Sequence, residues 1–376
     1  EYRRRYDMID EKVLRNEEKT VFELRSLYGK YGYVPLRMSK FEEYELYSHN
    51  KDFLDSDQII TFNDINGKLM ALKPDVTLSI VKNGKDREGY KQKVYYNENI
   101  YRTAGGSRQF REIMQAGLEC IGDIDRYDII EVISLAAQTL RLISEEFVLE
   151  ISHLGILSSL LDESGGDETF RKKAMAYIAE KNVHDLRRVC VEYDIPEKQM
   201  EKLCSFIGIY GDLDTVTDKL EPLCESEESR DALEELRLIC SLVKKFDYSD
   251  RINCDFSIVN NMNYYNGIVF RGFLNGICEG VLSGGQYDNL LRKMGRRSGA
   301  VGFALYLDLL DDLMPPAPEH MADVLVLYDE GTDLGSMTEK IRTMIVLGKT
   351  VSVQKCIPEK FRYREVLDLR KDGNDD

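Results

Sequence analysis

The stretch REIMQAGLECIG at residues 111–122 sets two polar side chains, Gln115 and Glu119, inside an otherwise apolar run. The run predicts a β-strand over residues 115–121, paired through the loop 102–107 with a second strand over 92–101. Because side chains alternate along a strand, Gln115 and Glu119 leave the same face. Arg102, at the end of the neighbouring strand, can point to that face as well.

The polar side chains on this face have complementary charges. Arg102 can pair with a carboxylate, Glu119 can pair with an ammonium group, and Gln115 can hydrogen-bond to either. A small zwitterion such as an amino acid fits this set. An ordinary solvated sheet face has the same composition, so the residues alone leave both interpretations open.

The chain around these strands predicts a sheet covered by helices. Apolar residues at helical spacing predict a helix over about residues 10–31. Two short apolar runs, 58–62 and 68–72, flank an Asn-Gly step and predict a hairpin. Residues 73–77 predict the next helix, with the proline in its first turn, and a further helix begins at Asp128. The pattern indicates an antiparallel sheet with helices against one side.

The sequence pattern changes twice after residue 154. Residues 155–250 are densely charged with helical periodicity, and we interpret them as a helical insertion within the first domain. Strand patterns return at 253–259 and 267–273. Three prolines within four residues then predict a stiff, extended linker. The predicted organisation is a first domain over residues 1–314, a linker over 315–320 and a short βαβ segment over 321–376.

Composition narrows the possible partners. The 376 residues carry 51 Lys and Arg against 67 Asp and Glu, a net charge of −16, which disfavours nucleic acid as a partner. No apolar stretch is long enough for a membrane span, and the charged residues 1–5 precede no apolar run of a signal peptide. We therefore expect a cytoplasmic protein with no membrane partner. Its eight cysteines form no CxxC pair and are expected to be buried, reduced thiols.

The sequence contains no recognisable motif for binding a metal or a cofactor. The histidines stand apart without an HxxxH pattern, so we expect no metal site. Walker, GxGxxG and GxSxG motifs are missing, and we expect no cofactor. An acidic run that begins at Asp212 lacks the glycines of a phosphate-binding loop and predicts a helix start.

Five short motifs lie in order along the chain. They are LKPDVT (72–77), YR (101–102) followed by REIMQAGLECIG (111–122), YYNGIVF (264–270), GGQYDNL (284–290) and AVGFA (300–304). Together they resemble the catalytic core of the histidyl-tRNA synthetases over residues 5–312. The resemblance implies an α+β, class II synthetase-like fold: a dimeric protein with an antiparallel sheet flanked by helices, a helical insertion and, in this chain, a small C-terminal α/β tail.

The same resemblance implies that amino-acid activation is lost. The family's third motif carries a glycine and an arginine that holds the ATP phosphates, and this chain has Tyr306 and Leu309 there. Ala104 replaces a second-motif glutamate, and Asn260 replaces the arginine before the tyrosine pair. Arginines that stabilise developing phosphate charge lower a barrier by several kcal/mol, so we expect no adenylate formation. Ser39 at the first-motif proline position leaves the detail of the dimer contact open.

The amino-acid side of the synthetase pocket is retained. The resemblance implies a histidine site made of Asp75, Thr77, Arg102, Gln115, Glu119, Tyr265 and Tyr287. A chain that keeps this site and loses the ATP site resembles the regulatory subunits of ATP phosphoribosyltransferase. The implied function is non-catalytic: sensing histidine as an effector, forming a dimer, and binding a short-form catalytic phosphoribosyltransferase subunit in a hetero-oligomer. No phosphoribosyl pyrophosphate loop is visible, so catalysis is expected in the partner.

Two other functions remain open at this level. One is a divergent histidyl-tRNA synthetase or another amino-acid-activating paralogue. The other is a free-standing amino-acid-binding protein, which would share the pocket and need no partner.

Overall fold

The computed structural model describes residue 14 and residues 16–50, 59–84, 86–103, 109–258, 264–313 and 320–370. The chain divides into two units, Glu1–Leu313 and Met314–Asp376. Three expectations fall outside the described residues: the loop that contains Ala104, the replacement at Asn260, and the proline-rich run at 315–318.

The first unit contains both strands and helices. Its strands are β1 (Val34–Pro35), β2 (Phe41–Glu43), β3 (Thr61–Asn63), β4 (Leu69–Leu72), β5 (Lys91–Thr103), β6 (Phe110–Gly122), β7 (Phe147–His153), β8 (Tyr210–Asp212), β9 (Ile252–Asp255), β10 (Ile268–Leu274), β11 (Leu282–Gln286) and β12 (Gly299–Tyr306). Its α-helices are α1 (Asn16–Lys30), α2 (Tyr44–Ser48), α3 (Val76–Asn83), α4 (Arg126–Ile143), α5 (Leu154–Ser164), α6 (Glu168–Ala179), α7 (Val183–Glu192), α8 (Glu197–Ile207), α9 (Leu213–Leu220), α10 (Glu227–Val243) and α11 (Asp288–Lys293). Short 3-10 helices cover Glu221–Leu223, Ser249–Arg251 and Leu307–Leu313.

A large mixed sheet organises this unit. Within the described residues it has nine strands in the order β1-β5-β6-β12-β11-β10-β7-β9-β8. The central pairs are antiparallel, as the sequence predicts. Near its two ends, however, β1 pairs with β5 and β7 pairs with β9 in parallel, and these two pairs were not predicted. Each parallel pair joins strands that are far apart in the chain, which a local sequence pattern does not reveal.

The register of β5 and β6 confirms the predicted shared face. Val94 lies opposite Glu119, Glu98 opposite Gln115 and Arg102 opposite Arg111. Because residues directly opposite each other in an antiparallel pair point to the same side, Arg102, Gln115 and Glu119 share one face of the sheet. Both strands are longer than predicted, since β5 spans Lys91–Thr103 and β6 spans Phe110–Gly122.

The two faces of the sheet carry different cores. On one face, alternate residues of β6 such as Leu118 join α1, α4 and the helices α5–α10 in the larger apolar cluster. On the other face, residues such as Tyr96 and Ile121 pack against α3 and α11. The expectation of helices against one side of the sheet is therefore wrong. The short helices α3 and α11 cover the opposite face, where Glu119 lies.

Local capping explains where several helices begin. Asp125 caps α4 through a capping box, and Asp212 caps α9 by accepting from the amides of Asp214 and Thr215, as expected for the acidic run. Helix α3 begins at Val76, and Asp75 is its N-cap in an extended conformation. Pro74 therefore precedes the cap, and its expected place in the first helical turn is wrong.

Two other features of the first unit were predicted in part. The hairpin β3–β4 is antiparallel, and Gly67 takes the left-handed conformation that its turn needs (φ 80°). The strand expected over 253–259 ends at Asp255, because the backbone then turns and the Asp255 carboxylate accepts from the Ser257 amide. The range 155–250 is helical apart from β8, which adds to the edge of the large sheet.

The second unit contains β13 (Ala322–Leu327), α12 (Leu334–Val346), β14 (Val351–Gln354) and β15 (Tyr363–Asp368). Strand β13 lies between β14 and β15 and is parallel to both. The first three of these elements follow one another in the order strand, helix, strand, and β15 is an additional strand that was not predicted.

Cysteine exposure differs from the expectation in two places. All eight cysteines are unpaired, and six are buried, whereas Cys278 and Cys356 are exposed. No helix within the described residues combines the length and apolar character needed to cross a membrane.

Candidate ligand-binding site

The seven residues expected to bind histidine line one cavity of about 280 Å³. The cavity lies on the sheet face that carries Glu119, and it is covered by the start of α3 and by the residues before β10. Its remaining walls come from Tyr96, Tyr264, Ser283, Gly302, Phe303, Ala304 and Tyr306. This volume lies just below the range of about 300–1,000 Å³ that is typical of sites for drug-sized ligands, so it suits a small metabolite.

Glu119 is the central acidic group of the cavity. It is 2% exposed, and its carboxylate accepts from the Thr77 hydroxyl (2.8 Å) and the Tyr287 phenol (2.6 Å). Burial raises the pKa of Glu119 to about 8, although both hydrogen bonds act in the opposite direction. No cation forms an ion pair with this carboxylate among the described residues. A cationic ligand group would supply the missing positive charge and favour the ionised form of Glu119.

A second carboxyl group, that of Asp75, lies at the start of α3. It accepts from the Leu78 amide (2.8 Å) as the N-cap of the helix. Burial raises the pKa of Asp75, while the helix amide and the positive charge of Arg102 oppose that rise. Arg102 is fixed beside it, because its Nε donates to the carbonyl of Pro74 (2.8 Å). The rest of the guanidinium can bind a ligand carboxylate.

Gln115 adds an amide to the same wall. It is 5% exposed, and in the described part of the chain its side chain has no hydrogen-bond partner. Buried amides are normally paired, so this side chain is available to a bound ligand.

Tyrosine rings form the other walls. The ring centroids of Tyr264 and Tyr265 lie 4.7 Å apart, and those of Tyr264 and Tyr287 lie 5.7 Å apart. Burial raises the pKa values of these three phenols well above the ordinary value, so each stays a neutral hydrogen-bond donor. A planar ligand group can pack against them.

Gly302 permits the close approach of β12 to Glu119. A Cβ atom at this position would collide with Glu119 Oε2 and with the carbonyl of Leu118. Gly302 lies directly opposite Glu119 in the β6–β12 pair, so a larger residue would displace the carboxylate from the cavity.

Several lining residues were not predicted from the sequence to belong to the site: Tyr96, Tyr264, Ser283, Gly302, Phe303, Ala304 and Tyr306. The period of two along a strand was the available signal for Tyr96, which is six residues before Arg102 in β5 and therefore on the same face. Tyr306 was noted as the loss of a glycine, and its place in the cavity wall is new.

The charges of the cavity indicate the class of ligand. Two carboxyl groups and one guanidinium suit a small molecule with a carboxylate and at least one cationic or hydrogen-bond-donating group. The described residues hold no cluster of His, Cys, Asp and Glu that could bind a metal. Leu309, at the expected position of an ATP-binding arginine, packs against the larger apolar cluster.

The chain is similar in sequence to known proteins. The family model described as histidyl-tRNA synthetase matches residues 7–310. Among curated proteins, the chain is 29% identical over 312 residues to the ATP phosphoribosyltransferase regulatory subunit of Oceanobacillus iheyensis, covering 81% of this chain and 76% of that protein. It is 26% identical over 355 residues to the protein of the same name from Bacillus cereus, covering 90% and 84%. The expected resemblance to regulatory subunits is confirmed.

Solved structures share the fold. A Bacillus halodurans protein, described as an ATP phosphoribosyltransferase regulatory subunit/histidyl-tRNA synthetase, superposes with a TM-score of 0.77 at 24% identity and 94% coverage of both chains. A histidyl-tRNA synthetase from Nostoc gives a TM-score of 0.69 at 20% identity, covering 92% of this chain and 83% of that one. A chain of the ATP phosphoribosyl transferase complex from Thermotoga maritima gives 0.61 at 19% identity, covering 80% and 98%. The expected class II synthetase-like fold is therefore confirmed, and because the family model spans residues 7–310 of 376, this chain belongs to the histidyl-tRNA synthetase family.

Proposed function

We propose that this chain is the non-catalytic regulatory subunit of ATP phosphoribosyltransferase. It assembles with a short-form catalytic subunit in a hetero-oligomer, is required for that subunit's activity, and senses histidine as a feedback effector of histidine biosynthesis. The chain itself forms a dimer and works in the cytoplasm without nucleic acid or membrane.

The observation that carries the proposal is an amino-acid-sized cavity with charged groups for both ends of a zwitterion, in a chain whose curated relatives are regulatory subunits. The replacement of a phosphate-binding arginine by Leu309 supports the same function, because the arginine that would hold the ATP phosphates is then missing.

In this proposal histidine binds with its carboxylate toward Arg102 and with a nitrogen-bearing group toward Glu119. Glu119 is held by Thr77 and Tyr287, which fixes its position before the ligand arrives. Histidine then inhibits the complex if it binds more tightly to an inactive arrangement than to an active one. A ligand with equal affinity for both arrangements would not change their populations.

The alternative is a divergent histidyl-tRNA synthetase, and one assay separates it from the proposal. We expect the isolated chain to catalyse no histidine-dependent exchange of pyrophosphate with ATP. Adding the chain to a short catalytic phosphoribosyltransferase should raise phosphoribosyl transfer. Robust exchange by the isolated chain, with no effect on the phosphoribosyltransferase, would favour the synthetase.

Binding of histidine is tested separately by calorimetry. Wild-type protein should bind histidine in preference to other amino acids, and Glu119→Ala and Arg102→Ala should each weaken binding by about 1.5–3 kcal/mol, the range for a hydrogen bond to a charged group. Glu88→Ala is a matched control, because Glu88 is exposed and lies outside the cavity. Unchanged affinity in both cavity variants would place the histidine site elsewhere.

A further inference from the structure

Tyr306 is the last residue of β12, and it lies at the end of the cavity away from Glu119. In the β6–β12 pair, Gly302 lies opposite Glu119 and Tyr306 lies opposite Gln115. Four residues of strand separate Gly302 and Tyr306 by about 13 Å along the sheet. Arg102 lies further in the same direction, because it pairs with Arg111 on the adjacent strand. The cavity therefore has the Glu119 carboxyl group at one end, and the Tyr306 phenol and the Arg102 guanidinium toward the other, where the Asp75 carboxyl group also lies.

The phenol of Tyr306 is available for a ligand. Its ring lines the cavity and is half-buried, and within the described ranges its hydroxyl makes no hydrogen bond. Burial raises the pKa of Tyr306, which keeps the hydroxyl protonated; the positive charge of Arg102 lowers this pKa, and the carboxyl group of Asp75 raises it. A neutral phenol and a guanidinium that line the same cavity can both donate hydrogen bonds to one carboxylate.

We propose that Tyr306 closes the carboxylate end of the cavity and donates a hydrogen bond to the free α-carboxylate of the bound amino acid. The proposal rests on the histidine site proposed above, and it identifies a residue that makes this site specific for a free carboxylate. The site accepts an amino acid with a free carboxylate and excludes one whose carboxyl group is extended by an ester or amide, because the Tyr306 ring occupies the space that the extension needs.

The test compares three probes by calorimetry: L-histidine, L-histidinol, which lacks the carboxylate, and L-histidine methyl ester, which extends it. Tyr306→Phe removes the hydroxyl and keeps the ring. We expect it to weaken histidine binding roughly ten- to hundredfold and to leave histidinol binding unchanged. Tyr306→Gly removes the ring, and we expect it to bind the methyl ester at least about tenfold more tightly than wild-type protein does.

Tyr101→Phe is the matched control. Tyr101 is on β5 beside Arg102, but its hydroxyl donates to Glu112 (3.0 Å) and lies outside the cavity, so all three affinities should match those of wild-type protein. Thermal unfolding checks that each variant folds. If Tyr306→Gly does not fold, the histidine and histidinol affinities of Tyr306→Phe still show whether the Tyr306 hydroxyl donates a hydrogen bond to the carboxylate.

Three outcomes count against the inference. Equal histidine affinity in wild-type and Tyr306→Phe protein overturns the hydrogen bond. Continued rejection of the ester by folded Tyr306→Gly overturns the closure. A wild-type chain that binds no histidine overturns both the histidine site and this inference, whereas wild-type binding with unchanged variants overturns the inference alone.

Discussion

Glu119 shows how a binding residue can work against stability. It is a carboxyl group in a cavity where its hydrogen-bond donors, Thr77 and Tyr287, are neutral. Burial disfavours its ionised form, and a cationic ligand group would remove that penalty by pairing with it. The residue is therefore adapted to the bound state of the protein and destabilises the empty one.

This leads to a prediction for Glu119→Gln. The pKa of Glu119 is raised from 4.5 to about 8, so the folded state holds the proton more tightly than the unfolded chain does. The stability that this proton provides is complete below about pH 4.5 and is lost as the pH rises toward 8. Glutamine cannot titrate, so the free energy of unfolding of the variant relative to wild type should increase over this window, on the order of a few kcal/mol.

Urea unfolding of both proteins at pH 5 and pH 8.5 measures this difference. Glu88→Gln, at an exposed position outside the cavity, serves as the control and should show no comparable change between the two pH values. A Glu119→Gln variant whose stability relative to wild type is the same at both pH values would contradict the raised pKa.

Some residues were predicted wrongly or missed because their exposure or their strand pairing depends on distant parts of the chain. Cys278 and Cys356 were expected to be buried because cysteines usually are, but local sequence does not report exposure. Tyr306 joins the cavity through the pairing of β12 with β6, two strands that are far apart in the chain. By contrast, Gln115 and Glu119 lie in one strand, so alternation alone placed them on the same face.

At the scale of elements, a buried ion pair positions the start of α3. Lys73 Nζ lies 2.7 Å from Glu98 Oε2, and the lysine side chain is 0% exposed. The backbone of Lys73 is also held on both sides, by the carbonyl of Lys40 and the amide of Tyr101. These contacts fix Lys73, which lies two residues before the Asp75 cap.

We predict that Lys73→Met lowers the free energy of unfolding by about 3 kcal/mol, because it leaves the carboxylate of Glu98, which is only 14% exposed, without its cation. The double variant Lys73→Met/Glu98→Leu should recover most of this loss, since two apolar side chains need no partner. Urea denaturation measures all three proteins.

Lys68→Met is the matched control for this series. Its ion pair with Glu43 has the same 2.7 Å distance but is about half exposed, so its loss should change stability little. A Lys73→Met variant as stable as Lys68→Met would show that the buried pair does not hold the start of α3.

The elements themselves were predicted where a strand is central and alternation is strong. Strands β5 and β6 are examples, whereas the exposed edge strand β3 was predicted from the Asn-Gly step that joins it to β4. Strand β15 was missed because it lies at the edge of its sheet, and its residues are mostly exposed, which leaves no apolar pattern. The parallel pairs β1–β5 and β7–β9 were missed because they join segments separated by more than fifty residues.

For the whole molecule, the proposed function separates ligand sensing from assembly. Glu119 is 2% exposed, so its side chain has almost no surface through which to contact a partner chain. We therefore predict that Glu119→Ala still assembles with the catalytic subunit, while inhibition of the complex by histidine shifts to higher concentration. Size-exclusion chromatography measures the assembly, and an activity titration with histidine measures the shift. Tyr101→Phe in the same complex should keep the wild-type inhibition curve.

The coupling must also run in the opposite direction. Suppose that histidine favours an inactive arrangement of the complex and a substrate favours the active one. Each ligand then weakens the binding of the other, and the factor is the same in both directions. Calorimetry of histidine with and without substrate, on wild-type and Glu119→Ala complexes, measures that factor. Identical inhibition curves for the two complexes would mean that the catalytic partner holds the histidine sensor, and this chain would then serve assembly alone.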